Sequence, residues 1–209
     1  MGNVDWKRAA ANIFWGEMAP YDHILQIYED DSVLLNAMAG FARAGFERNE
    51  SCIIIATDQH LKALEYKLEA EGINVISLLS DHSYIPLNAQ KVLSKFMVNG
   101  WPEESLFMRT IAEVLARARG PKNRSIRAFG EMVAILWDQG NKGATLQLEN
   151  LWNRLSQKEK FALFCAYPVA GFSEDITNSV KNICCAHSKV VDGAKEQKAE
   201  ILYHAVYPA

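Results

Sequence analysis

Short apolar runs alternate along the chain with longer segments in which apolar residues recur every three or four positions. The runs are typical of buried strands, and the spaced segments are typical of amphipathic helices. The predicted strands cover residues 23–28, 52–57, 73–79, 125–129 and 161–167. Because single helices separate the early strands, right-handed crossovers are expected. The pattern predicts an α/β fold of three layers, with a mostly parallel sheet and helices on both faces.

Other segments have less regular patterns. Apolar spacing predicts further helices over residues 6–14, over 89–97, from Pro102 onward, and over 176–183. The segments 189–191 and 201–207 fit either edge strands or helix. The tail of the chain is therefore the part whose structure the pattern determines least.

The composition places the chain among ordinary globular proteins, with 209 residues of which 49% are apolar and 22% charged. We expect one domain over residues 1–209, with a core at about 15–190 and a C-terminal extension at 191–209. The net charge of -3 argues against direct binding of nucleic acid or of an anionic membrane. No apolar run approaches the ~20 residues of a membrane span, and no secretory signal is visible. We expect a cytoplasmic protein.

The four cysteines form no recognisable metal motif. Cys52, Cys165, Cys184 and Cys185 have no Cys-x-x-Cys spacing, and the histidines add no ligand pattern. The sequence also has no Gly-x-Ser-x-Gly or His-Glu-x-x-His motif. We therefore expect reduced thiols, no metal, no cofactor and no enzymatic activity.

Parallel α/β sheets bind ligands in the crevice outside the carboxyl ends of their strands. Candidate ligand contacts at or just past such predicted ends are Tyr28, Glu29, Asp30, Gly130 and Tyr167. A phosphate-binding loop would need glycines and a Gly-Lys-Ser or Gly-Lys-Thr sequence, but the first strand continues as YEDDSVLL. A phosphate would be repelled there by three neighbouring carboxylates, those of Glu29, Asp30 and Asp31. We expect no nucleotide hydrolysis by this route.

Two further residues have alternative interpretations. Glu131 follows a predicted strand, and its functional interpretation is a general base or a hydrogen-bond acceptor for a ligand. Its structural interpretation is an acid at a helix N-terminus that bonds to free amides. His187 would be a ligand contact or a base, or else a packed histidine that continues the apolar stripe of residues 176–183. The structural role is the simpler interpretation for both. His23 lies at the opposite end of its strand and is expected to be structural.

The aromatic and methionine residues are numerous enough to line a pocket for a small hydrophobic ligand. Helical spacing assigns most of them to the core. Trp15 and Trp101 differ from these core residues, because the neighbouring Gly16 and Pro102 indicate turns. We include Trp101 among the candidate ligand contacts.

Five stretches carry a family resemblance: WGEMAPYDHILQIYED (15–30), YIPLNAQKVLSKFMVNGWPEE (84–104), RAFGEMVAILWDQGN (127–141), LFCAYPVAGF (163–172) and AHSKV (186–190). Together, and in this order, they resemble the MEDS domain, the methanogen/methylotroph DcmR sensory domain. The resemblance implies a RecA-like or KaiC-like fold with a degenerate nucleotide site that senses small hydrocarbon-type molecules. By position it places five residues near the pocket: Tyr28, Glu29, Gly130, Glu131 and His187.

The resemblance also implies the kind of signalling. Family members are often joined to histidine kinases or DNA-binding regulators, whereas this chain ends soon after the domain. We therefore expect a non-enzymatic sensory domain that binds a small apolar molecule. It would act on a separate kinase of a two-component system or on a transcription regulator. A homodimer is compatible with such a role. The alternatives are a protein-protein interaction module without a small ligand, and a residual nucleotide binder or enzyme that uses Glu131 and Glu29.

Overall fold

The computed structural model describes residues 15–171, 183, 187–193 and 201–202. Its strands are β1 (His23–Tyr28), β2 (Ser51–Ala56), β3 (Tyr84–Asn88), β4 (Met97–Val98), β5 (Trp101–Pro102), β6 (Ile126–Gly130), β7 (Ala162–Pro168), β8 (Lys189–Gly193) and β9 (Ile201–Leu202). The main sheet has seven strands in the order β3-β2-β6-β7-β1-β8-β9, and only the β8–β9 pair is antiparallel among these described strands. The predicted mostly parallel α/β sheet is confirmed.

Helices cover both faces of the sheet. They are α1 (Asp31–Glu47), α2 (Asp58–Ala70), α3 (Val75–Ser80), α4 (Ala89–Leu93), α5 (Glu104–Arg119), α6 (Met132–Asp138) and α7 (Lys142–Glu159). One apolar layer joins α1, α2 and α3 to the sheet, and a second layer on the other face joins α4 to α7. Strands buried on both faces need apolar side chains on both, which explains why they read as continuous apolar runs. None of the described helices is long and apolar enough to cross a bilayer.

The third predicted strand, at residues 73–79, is wrong. The segment forms α3, in which the Asn74 side chain accepts from the amide of Ser77 at 3.0 Å. Periodicity cannot separate a short apolar run in a strand from one in a helix. The third strand is instead β3, whose Pro86 is tolerated because β3 lies at the edge of the sheet.

The predicted helix over 89–97 is too long. It ends at Leu93, and the chain then forms the β4–β5 hairpin around Asn99 and Gly100. Both turn residues have positive φ, at 50° and 78°, which is the pattern of a type I′ turn. Pro102 therefore lies in a strand rather than at the first position of a helix, and Glu103 caps α5 with its side chain.

A buried arginine fastens the layer of α1 to the sheet. Arg127 of β6 is 1% exposed and pairs with Glu50 at 2.5 Å. Its guanidinium also donates to the carbonyls of Phe41 and Trp15, at 2.8 Å and 3.2 Å. Trp15 itself is buried against the rings of Phe41 and Phe164, so it belongs to the core.

Several predictions fall on residues outside the described part of the chain. The predicted helix at 6–14 lies there entirely, and the predicted helix at 176–183 lies there except for Ile183, which is helical. Within the tail, β8 and β9 agree with the strand alternative for residues 189–191 and for the start of 201–207.

Candidate functional site

The carboxyl ends of β2 and β6 are connected by Glu131. This residue follows β6 directly and is 6% exposed. Its carboxylate accepts from the Thr57 amide, at 2.8 Å, and contacts His60 Nδ1 at 2.9 Å. It makes no side-chain cap bond to α6. Glu131 is therefore a bridge between strand ends rather than the cap of its own helix.

His60, in the first turn of α2, lies between two carboxylates. Its Nε2 is 3.6 Å from Asp31 Oδ2, on the side of the ring opposite Glu131. The hydrogen bond with Glu131 raises the pKa of His60, burial opposes the rise, and the charges of Glu131 and Asp31 add to it. The imidazolium form is thus favoured at this edge of the sheet.

Tyr28 adds a neutral hydroxyl to the same edge. It ends β1, is 6% exposed, and lies where burial raises its pKa, with further contributions from Glu131 and Asp31. The phenol therefore stays protonated. Tyr28, Asp31, His60 and Glu131, here called the carboxyl-edge cluster, offer both donors and acceptors to a polar group.

Two amides of the turn after β1 are already occupied by a side chain. Asp30 caps α1 with its own side chain, accepting from the amides of Ser32, at 2.9 Å, and Val33, at 3.3 Å. An anion at a helix N-terminus would need these amides. The exposed Glu29 beside them adds negative charge. This geometry supports the expectation that the turn does not bind phosphate.

The remaining predicted site residues lie in different places. Gly130 is the buried last residue of β6, next to Glu131. Trp101 lies in the β4–β5 hairpin, half exposed, and its ring packs beside Gly143 at the start of α7. Tyr167 and His187 do not join the carboxyl-edge cluster, because both point to a second cluster beneath the sheet.

The second cluster lies between the sheet and α7 and consists of His23, Glu149, Cys165 and His187; we call it the buried His/Glu/Cys cluster. All four residues are buried, and their ligand atoms lie within 4.8 Å of one another. The two imidazole rings are 4.0 Å apart. Tyr167 donates to Glu149 Oε1 at 2.5 Å. His23, expected to be structural, thus contacts the predicted site residue His187.

Burial and the contacts within the cluster together determine its protonation. Burial raises the pKa of Cys165 and of Tyr167 well above their usual values, so both are protonated. It also lowers the pKa of His187 to about 4, helped by His23. The neighbouring imidazoles and the Tyr167 hydroxyl outweigh burial at Glu149 and lower its pKa.

Sequence reasoning missed His60 and Glu149. His60 follows the strand-end residue Thr57 by one helical turn, which was the available signal. Glu149 interrupts the apolar stripe of α7 next to Leu148 and one turn before Trp152, and it is fully buried. A charged residue on the buried face of a helix indicates a buried partner.

A cleft of about 400 Å³ lies at the opposite edge of the sheet. Ser83 and Arg124, which precede β3 and β6, are among its lining residues. Arg124 is paired with Asp81 at 2.8 Å. Because open α/β sheets bind ligands at the carboxyl ends of their strands, we place the candidate site at the carboxyl-edge cluster.

The α/β fold is similar to that of RecA-like, KaiC-like proteins. A KaiC-like protein from the hyperthermophilic archaeon Pyrococcus horikoshii OT3 matches with a TM-score of 0.55 and 12% identity, over 88% of this chain and 79% of that one. Another Pyrococcus horikoshii OT3 protein, known from a structural study, matches with a TM-score of 0.58 and 8% identity, over 92% of this chain and 90% of that one. At these identities the likeness concerns the fold alone.

Residues 22–188 match the family model described as MEDS, the MEthanogen/methylotroph, DcmR Sensory domain. The chain therefore belongs to the MEDS family, and the resemblance found in its sequence is confirmed. No curated protein matches the chain. The family name indicates a sensory role.

Proposed function

We propose that this chain is a non-enzymatic, cytoplasmic sensory domain that binds one small, mainly apolar molecule at the carboxyl-edge cluster. The signal then passes to a separate histidine kinase or transcription regulator. Membership of a sensory family supports the role, and the rule that α/β sheets bind ligands at their strand ends supports the place.

The observation that carries the proposal is the buried pair of Glu131 and His60 beside Tyr28. These side chains supply donors and acceptors for one polar substituent of a ligand. The acidic residues around them, and the amides already occupied by Asp30, disfavour a phosphate. A hydrocarbon derivative with a single polar group fits this chemistry better than a nucleotide does.

We propose that the exposed apolar side chains of the β4–β5 hairpin contact the apolar part of the ligand. Trp101 is 50% exposed and Val98 is 45% exposed, both in the β4–β5 hairpin. The hairpin is fixed to the turn between α6 and α7, where Asn141 Nδ2 donates to the Gly100 carbonyl at 2.6 Å. That turn follows α6, which begins at the carboxyl end of β6.

The experiment is a thermal unfolding screen with a panel of short-chain alcohols and halogenated alkanes. A ligand at 100 times its Kd stabilises the folded state by about 2.7 kcal/mol, which is a Tm rise of about 5–11 °C for a chain of this size. Glu131→Gln and Trp101→Ala should abolish or reduce the rise. The exposed Glu113→Gln, a change of the same kind on α5, should keep it.

The absence of any rise in the wild-type protein would contradict ligand sensing. A rise with ATP and magnesium instead would favour residual nucleotide binding. Native mass spectrometry of the same samples reports bound molecules and tests the homodimer.

A second candidate function is a protein-protein interaction module without a small ligand. It is favoured by exposed apolar side chains on α2 and α3, namely Tyr66 at 77%, Ile76 at 76% and Leu79 at 38% exposure. Such side chains are typical of contact surfaces when they form one patch. Ile76→Ser should then weaken binding to a kinase or regulator partner without altering the ligand screen.

A further inference from the structure

Ligand atoms of the buried His/Glu/Cys cluster are spaced like those of a tetrahedral metal site. His23 Nε2 lies 3.4 Å from Cys165 Sγ and 3.4 Å from Glu149 Oε2. His187 Nε2 lies 3.5 Å from the same Glu149 oxygen. With zinc-ligand bonds of about 2.0–2.3 Å, neighbouring ligand atoms in a tetrahedron are about 3.3–3.8 Å apart. These three separations match edges of such a tetrahedron, and all four ligand atoms lie within 4.8 Å of one another.

The hydrogen bonds of the cluster leave acceptors facing one another. His187 Nδ1 is 2.7 Å from the Ile183 carbonyl, which can only accept, so Nδ1 carries the proton and Nε2 of the neutral ring presents a lone pair. His187 Nε2 and Glu149 Oε2 complete no hydrogen bond with any of the described residues. Two buried acceptors at this distance are unfavourable unless a proton or a metal ion lies between them.

For His187 and Glu149 the outer contacts are those that hold metal ligands in position, whereas His23 Nδ1 completes no hydrogen bond with any described residue. The Ile183 carbonyl fixes the tautomer and orientation of His187, and the Tyr167 hydroxyl orients the Glu149 carboxylate. The backbone of His23 is fixed by Ser188, whose amide and hydroxyl donate to the His23 carbonyl at 2.8 Å and 3.0 Å.

We propose that His23, Glu149, Cys165 and His187 bind one Zn²⁺ ion. On binding, the Cys165 thiol releases its proton to solvent, so the ion is coordinated by one thiolate, one carboxylate and two neutral imidazoles. Thiolate and imidazole ligands select Zn²⁺ over Mg²⁺ or Ca²⁺. Because all four positions are filled by buried protein atoms, the site is structural rather than catalytic.

The ligands come from separate parts of the fold, so the ion has a definite structural effect. It connects β1, β7 and α7 to His187, which directly precedes Ser188 and β8. The site therefore connects the C-terminal strands β8 and β9 to the rest of the main sheet. This role is independent of ligand binding at the carboxyl-edge cluster.

The test uses the full chain, stripped of metal with a chelator and then titrated separately with Zn²⁺ and with Co²⁺. We expect one metal ion per chain, a Zn²⁺-dependent rise in Tm, and a Co²⁺ spectrum with tetrahedral d–d bands and a thiolate charge-transfer band. Cys165→Ser should remove that band. Cys52→Ser is the matched control, because Cys52 is equally buried but donates to the Ala42 carbonyl outside the cluster.

A second variant separates ligand loss from misfolding. Tyr167→Phe keeps all four ligands and should weaken Zn²⁺ affinity by about 10- to 100-fold. Binding of clearly less than one ion by the wild-type chain would overturn the proposal. So would a Co²⁺ spectrum without a thiolate band, or a band that survives Cys165→Ser. If Cys165→Ser does not fold, the wild-type Co²⁺ spectrum and the Tyr167→Phe affinity decide.

Discussion

Replacing Arg127 with Met should destabilise the protein strongly. The substitution keeps an unbranched apolar stem but removes a guanidinium that is 1% exposed and pairs with Glu50. Breaking a buried ion pair from one side costs about 3–5 kcal/mol. The carbonyls of Trp15 and Phe41 also lose their guanidinium donor. The side chain of Glu50 is 20% exposed and regains some water, which places the expected loss toward the lower end of this range.

The assay is urea unfolding followed by circular dichroism, together with thermal unfolding. For a chain of this size, a loss of about 3–5 kcal/mol lowers Tm by roughly 6–20 °C. The control is Arg154→Met, which removes an arginine whose side chain is 60% exposed and which pairs with Glu104 at 2.6 Å. Exposed pairs contribute about 0–1 kcal/mol, so this variant should unfold close to the wild type.

A double-mutant cycle isolates the ion pair. Glu50→Gln alone should cost less than Arg127→Met, and combining the two should cost less than their sum, by a coupling energy of about 0.5–3 kcal/mol. The reasoning would be refuted if Arg127→Met lost less than about 1 kcal/mol, or no more than Arg154→Met.

Three further predictions concern protonation and packing. Because the pKa of His60 is raised in the folded protein, the protonated side chain stabilises the fold fully below the unfolded pKa of about 6.5, and this stabilisation is lost as pH rises through the folded pKa. The difference in unfolding free energy between wild type and His60→Asn should therefore be larger at about pH 6 than at about pH 9. A constant difference would contradict this. Gly45→Ala should lower the free energy of unfolding in urea by about 1–3 kcal/mol, because the new Cβ would lie 2.6 Å from the buried Cys52 Sγ. Gly143→Ala is the control and should not, because its Cβ would meet only an exposed tryptophan ring that can shift. In metal-free protein, Tyr167→Phe should cost about 1–3 kcal/mol by the same assay, because a buried carboxylate loses its hydroxyl donor; an unchanged unfolding midpoint would count against the hydrogen bond.

The layout of the sheet was largely readable from the sequence, because strands buried on both faces must be apolar along their whole length. β1 matches its predicted bounds, and β2, β6 and β7 lie within one residue of theirs. The cap of α1 was readable for a local reason, since Asp30 bonds to amides two and three positions away. The Asn99-Gly100 turn was also a local signal, and it would have shortened the predicted helix over residues 89–97.

The side chains that meet at each cluster were decided by the tertiary structure alone. His60 and Glu131 are 71 positions apart, and His23 and Cys165 are 142 positions apart. Periodicity along the chain determines which face of an element is buried, but it does not determine which strands become neighbours or in what register. The strand order β2-β6-β7-β1 and the path of α7 beneath it bring these residues together. The sequence by itself therefore determined the layers and the helix caps. The crossovers and the strand register decided the chemistry of both sites.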